Sequence, residues 1–222
     1  ADVMTKIAGH TFTQADSGKH FEFTVKEVIP TGAVQDQAMG LWYVEATGLY
    51  YDGANHVVTI DVADNGKGQL DVTTKVDGKE TNVVSFENKY RAQNVSFDTA
   101  TAQLNKILQG RDWIENDSFD FTITARDGAP MPKRDGNEVS SATVKSPNSK
   151  DGDSVSFDFG QIEFTSDMVK DAPGHKRTFT YEVTETSGNL PGIQYSDNKA
   201  VIEVTVSDNG QGKLVASATT QN

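Results

Sequence analysis

The chain contains no cysteine. Neither a disulfide nor a thiolate can therefore staple the fold, bind a metal or act as nucleophile, and any covalent link must use other side chains. The four histidines, His10, His20, His56 and His175, are scattered without ligand spacing, so no metal and no cofactor is expected. Basic residues are outnumbered, 20 Lys and Arg against 32 Asp and Glu, giving a net charge of −12. That balance leaves no footprint for nucleic acid or an anionic lipid surface. No apolar run approaches the roughly 20 residues of a membrane-spanning helix, so membrane insertion by this segment is not expected. No signal peptide or charged leader opens the sequence, and targeting and anchoring are expected to reside outside it. A nucleophile elbow, a zinc-binding helix and a phosphate-cradling loop are all missing, which places an enzyme with turnover far behind a structural or binding role.

What is present favours β structure. Val, Phe and Thr are common, Leu is scarce, and short alternating runs recur: Phe119, Phe121 and Ile123; Phe179, Tyr181 and Val183; Ile202, Val204 and Val206. The sequence also repeats itself. "VVTIDVADNGKGQL" (57 to 70) returns as "VIEVTVSDNGQGKL" (201 to 214) at an offset of 144, and "FEFTVKE" (21 to 27) returns as "FTYEVTE" (179 to 185) at an offset of 158. The difference is an insertion in the first copy, within "GAVQDQAMGLWYVEATGLYYDG", read as an extra hairpin. "DNG" between alternating runs predicts hairpin turns; acidic residues at alternate positions, which a calcium loop needs, are absent. The polar stretch 126–154 is read as a long excursion with a short edge strand near Val139 to Val144.

These signals predict an all-β chain of tandem Ig-like β-sandwiches, residues 1–91 forming the C-terminal part of a first repeat and 92–222 a nearly complete second. The first is expected to lack its N-terminal half. "VSFENKY" (84 to 90), carried forward by 144, falls near residues 228 to 234, so the second is expected to lack its last strand.

Four polar residues stand where the alternation calls for apolar ones. Glu27 follows Phe21, Phe23 and Val25 on their face, and Glu185 follows Phe179, Tyr181 and Val183. Lys106 lies between Leu104 and Leu108, although Ile107 on the opposite face weakens that assignment. Asn88 lies between Phe86 and Tyr90. Each has an ordinary explanation, a strand end, a snorkelling amine or a turn cap. Together they supply an amine, an acid and a carboxamide aimed at a core. A buried lysine tends to lose its proton and a buried glutamate to keep one. The neutral amine can then attack the carboxamide while the acid hydrogen-bonds its oxygen and relays protons, forming an amide and releasing ammonia. Tying Lys106 to an acceptor near position 232 closes a loop of about 126 residues, worth on the order of 4 to 5 kcal/mol by analogy with a disulfide.

"NKILQGRDW" (105 to 113), "SFDFTITARDGAPMP" (118 to 132), "FGQIEFT" (159 to 165), "YEVTETSGNLPGIQYS" (181 to 196) and "FENKY" (86 to 90) resemble the streptococcal pilin isopeptide-linkage domain, a CnaB-type sandwich of Gram-positive surface proteins. The resemblance implies that Lys106 is the linkage lysine, Asn88 the acceptor asparagine, and Glu185 and Glu27 the assisting acids. Each linkage residue would have its mate outside this chain, since the first unit has no lysine strand and the second no asparagine strand. It also implies an extracellular, cell-wall-attached fibre or adhesin stalk whose partners are neighbouring repeats. The alternative is an adhesin module that binds a host surface ligand through residues 33–48, which hold Trp42, and 126–154.

Overall fold

A computed structural model describes residues 9–221. The chain separates into two compact units, one running to residue 90 and one from residue 91 onward, with 46–48 grouping with the second. Among the described residues regular structure is almost entirely antiparallel β, with only 3-10 turns besides.

The first unit contains β1 (His20–Lys26), β2 (Val34–Asp36), β3 (Leu41–Val44), β4 (Leu49–Tyr51), β5 (Asn55–Asp64), β6 (Leu70–Val76), β7 (Lys79–Glu80) and β8 (Lys89–Tyr90). They form two four-stranded sheets, ordered β1-β5-β6-β7 and β2-β3-β4-β8. Alternation sets the buried face: Val58, Ile60 and Val62 of β5 and Val76 of β6 are enclosed, while the intervening residues reach solvent. The inserted segment is a three-stranded meander rather than a hairpin, because β4 continues the β2–β3 pair and then takes β8 as its neighbour. Of "VSFENKY", expected as a full strand, only Lys89 and Tyr90 pair.

The second unit contains β9 (Val95–Asp98), β10 (Asn105–Ile107), β11 (Ser118–Ala125), β12 (Lys133–Arg134), β13 (Asn137–Glu138), β14 (Ser141–Lys145), β15 (Ser154–Ser156), β16 (Gln161–Phe164), β17 (Lys176–Thr186), β18 (Lys199–Asp208) and β19 (Leu214–Gln221). A five-stranded sheet, β14-β11-β17-β18-β19, faces a four-stranded sheet, β13-β12-β16-β9, and among the described residues β10 pairs with β15 alone. The core is built from the inward residues of these strands: Phe119 and Ile123 from β11, Phe179, Tyr181 and Val183 from β17, Ile202, Val204 and Val206 from β18, and Ile162 and Phe164 from β16. Tyr181 is wholly enclosed and donates its hydroxyl to the Pro130 carbonyl at 2.9 Å, which satisfies the polar tip. The 126–154 segment is built into the sheets: it supplies the β12–β13 hairpin and the edge strand β14.

The repeat seen in the sequence is a repeat of register. Phe21 faces Ile60 as Phe179 faces Val204, and Val25 faces His56 as Val183 faces Ala200. Val58 faces Val76 as Ile202 faces Thr220. The "DNG" turns are alike too, but each closes a five-residue loop rather than a two-residue turn. Asp64 Oδ1 accepts from Gly66 N–H as Asp208 Oδ1 accepts from Gly210 N–H, and the Asn65 and Asn209 side chains each accept two further backbone N–H groups.

Candidate functional site

Lys106 sits at the centre of β10, with Leu104 and Leu108 buried on the same face and Ile107 exposed on the other. The strand therefore aims its amine into the second unit. The Lys106 Nζ lies 2.6 Å from Glu185 Oε1, and the two side chains are 10% and 2% exposed. It also stands 4.2 Å from the centroid of the Phe119 ring, so one side of the ammonium rests on an aromatic face. Oε1 receives no aligned hydrogen bond and meets the amine as a close ion-pair contact. Oε2 accepts from the Ser196 backbone N–H at 2.8 Å. Glu185 reaches this position because β17 runs straight through Phe179, Tyr181 and Val183 to its C-terminal end.

Sequence reasoning took Phe119 only as a core residue and did not single out the Arg111–Asp117 pair. Phe119, the ring beneath the amine, packs edge-on against Trp113 and is tilted against Tyr195. Arg111 makes a bidentate contact with the carboxylate of Asp117, which is almost wholly enclosed and also accepts from Ile114 N–H. The Arg111 guanidinium beside Asp117 holds its carboxyl below the usual carboxylate range. Arg111 and Trp113 belong to the "GRDW" stretch, where a buried acid six residues after an arginine was the available signal.

Beside Lys106 and Glu185 opens a cleft of roughly 430 Å³, lined among others by Phe121, Phe157, Ser196 and Asn198. Its lining mixes the rings of Phe121 and Phe157 with polar residues and includes both members of the amine–acid pair.

The first unit brings together the other two predicted residues. Asn88 Nδ2 donates to Glu27 Oε1 at 2.7 Å, and Asp52 N–H donates to both Asn88 Oδ1, at 3.0 Å, and Glu27 Oε2, at 3.1 Å. Two expectations change here. Asn88 was expected to face a core, yet it is exposed and Glu27 only half-buried, because no described strand of this unit covers their open side. The acid was expected on the carboxamide oxygen, yet it lies on the carboxamide nitrogen. A backbone N–H can only donate, so the Asp52 N–H fixes which end of the amide is oxygen.

The two acids are held alike. Asp52 and Ser196 are separated by 144 residues, the repeat offset, and each directs its N–H to the Oε2 of the glutamate of its own unit. No group of three or more His, Asp or Glu side chains suited to a metal converges among the described residues.

The model of one family, described as the Spy0128-like isopeptide containing domain, matches residues 2–91 and again 102–222. The chain belongs to this family. Between them the two matched stretches cover nearly the whole chain, so both units fall within it. No curated protein and no solved structure matched in the corresponding searches. Membership makes this a pilin-like, isopeptide-type structural domain with a β-sandwich fold, and among the described residues no helix is long and apolar enough to cross a membrane.

Proposed function

We propose that the chain is a repeat segment of a Gram-positive cell-surface fibre or adhesin stalk, attached to the cell wall and stabilised by self-catalysed Lys–Asn isopeptide bonds. Neighbouring repeats in the same protein are its partners. The observation that carries this reading is the enclosed contact of Lys106 Nζ with Glu185 Oε1, two residues that line an open cleft. In the matching corner of the first unit, Glu27 already holds an asparagine.

The chemistry runs as follows. Proton transfer from the Lys106 ammonium to Glu185 leaves a neutral amine beside a neutral acid. The amine nitrogen attacks the Cγ of an acceptor asparagine docked in the cleft, and a tetrahedral adduct forms. The Nζ–Cγ bond is made, Glu185 gives its proton to Nδ2 and takes one in turn from the now cationic Nζ, and the Cγ–Nδ2 bond breaks to release ammonia and leave a secondary amide. The position of Glu27 on Asn88 Nδ2 supports a carboxyl at the leaving nitrogen. Holding the groups in contact in an enclosed site supplies the effective concentration that an unreactive amide requires. Each site acts once, so the protein is not an enzyme with turnover and needs no cofactor.

The test follows from the repeat offset. Asn222 corresponds to Gly78, so appending a copy of residues 79–91 after Asn222 places an acceptor asparagine ten residues beyond it. The extended chain is expected to weigh one ammonia less than its sequence, and Lys106→Ala or Glu185→Ala to restore full mass. Full mass in the unaltered extended chain would sink the reading.

A further inference from the structure

The isopeptide reading leaves one charge without an assigned partner. When an amine adds to a carboxamide, negative charge gathers on the carboxamide oxygen, and a donor placed there stabilises the transition state. In the first unit the oxygen of Asn88 is met at 3.0 Å by the Asp52 backbone N–H, not by the carboxyl of Glu27. That same N–H also touches Glu27 Oε2. In the second unit the residue one repeat later, Ser196, points its N–H at Glu185 Oε2 at 2.8 Å and lines the cleft in which the acceptor would dock.

We propose that the Ser196 backbone N–H is the oxyanion donor of amide formation in the second unit, as the Asp52 N–H would be in the first. The acid and the N–H divide the acceptor amide between them: the carboxyl serves the leaving nitrogen, and the N–H serves the oxygen. This proposal rests on the assignment of Lys106 and Glu185 as reacting and assisting groups, and adds a catalytic group that no side chain reveals.

Several local features hold that N–H in place. Tyr195, the residue before Ser196, packs against Phe119, the ring on which the Lys106 amine rests. Its hydroxyl accepts from Leu190 N–H at 3.2 Å. A side-chain carbon at Gly188 would lie 2.5 Å from that hydroxyl, so glycine lets the loop close over the tyrosine. The first unit also has a tyrosine, Tyr51, immediately before its donor. A tyrosine therefore precedes the donor in both copies, at the end of β4 in the first and in a loop packed on Phe119 in the second.

The experiment removes the N–H and nothing else. The chain extended by residues 79–91 is made by cell-free translation with Ser196 replaced by its α-hydroxy acid, which turns the 195–196 amide into an ester. The first-order loss of ammonia is followed by mass spectrometry, and the melting temperature is measured alongside. Losing one oxyanion donor is expected to slow the reaction on the order of 10² to 10³-fold. The same ester placed at Asp197, whose N–H is outside the site, should react at the native rate. Ser196→Pro, which also deletes the N–H, should be slowed like the first ester. An ester at Ser196 that reacts within about threefold of the native chain would overturn the proposal, because donor loss carries a far larger penalty. If the unaltered extended chain keeps its full mass, the assignment of Lys106 fails first and this proposal falls with it.

Discussion

Replacing Glu185 by alanine should destabilise the second unit more than any exposed ion pair could. At a separation of 2.6 Å and an effective dielectric of about 20, the attraction between Lys106 and Glu185 is about 6 kcal/mol before desolvation is subtracted. Removing one partner of an enclosed pair leaves the other charge uncompensated, at a typical cost of about 3 to 5 kcal/mol. The cleft lets water approach the amine from one side, so the lower end, about 3 kcal/mol, is expected. The chain has two tryptophans, Trp42 in the first unit and Trp113 in the second, so Trp113 fluorescence in a Trp42→Phe background reports the second unit. With a urea dependence of about 2 to 3 kcal/mol per molar, the midpoint should fall by about 1 to 1.5 M. Replacing both residues together, Lys106→Met with Glu185→Leu, should recover stability to within about 1 kcal/mol of the parent, since no charge is left stranded. A loss below about 1 kcal/mol for Glu185→Ala would refute the reasoning, as it would mean that the amine is fully hydrated.

Asp117→Asn should show a pH signature. The folded carboxyl lies below its ordinary value of 3.8 because Arg111 hydrogen-bonds it, so its contribution is complete above that value and is lost as pH falls through and below it; the stability gap between parent and variant should close on acidification from pH 5 in urea titrations. Tyr181→Phe should cost about 1 kcal/mol by stranding the Pro130 carbonyl, read from the thermal midpoint of the second unit. Gly160→Ala should cost about 1 to 3 kcal/mol, because φ is +92° and the added carbon meets the Lys133 carbonyl oxygen. The unextended chain, with Lys106 and Asn88 each short of a partner in its own unit, should show the full mass of its sequence by mass spectrometry.

Much of the fold was legible because period-2 alternation and a self-repeating sequence are local signals. The register pairs Val25–His56 and Val183–Ala200 are related to each other by the two offsets. The same counting put Lys106 inward despite Ile107, which lies on the solvent face of an edge strand where an apolar residue is tolerated. Legibility failed where pairing partners decide the outcome. Residues 84–88 alternate like a strand but have no strand to pair with among those described, so only Lys89 and Tyr90 enter the sheet. The loops after "DNG" are longer than a two-residue turn because the asparagine side chain captures two downstream N–H groups. Within the site, the acid and amine could be read from sequence and the Asp52 and Ser196 donors could not, since a backbone N–H carries no residue code. The orientation of the Asn88 amide was invisible for the same reason.

Among the described residues the β10 strand has a neighbour on one side only, which gives its lysine a second consequence. A bare strand edge invites pairing with whatever extended chain drifts past, and an inward-turned charge is a common guard against such stickiness. Lys106 makes this edge inhospitable to apolar intruders. On the proposed isopeptide reading the amine would act as gatekeeper before an acceptor strand docks, and its charge would be consumed by the bond.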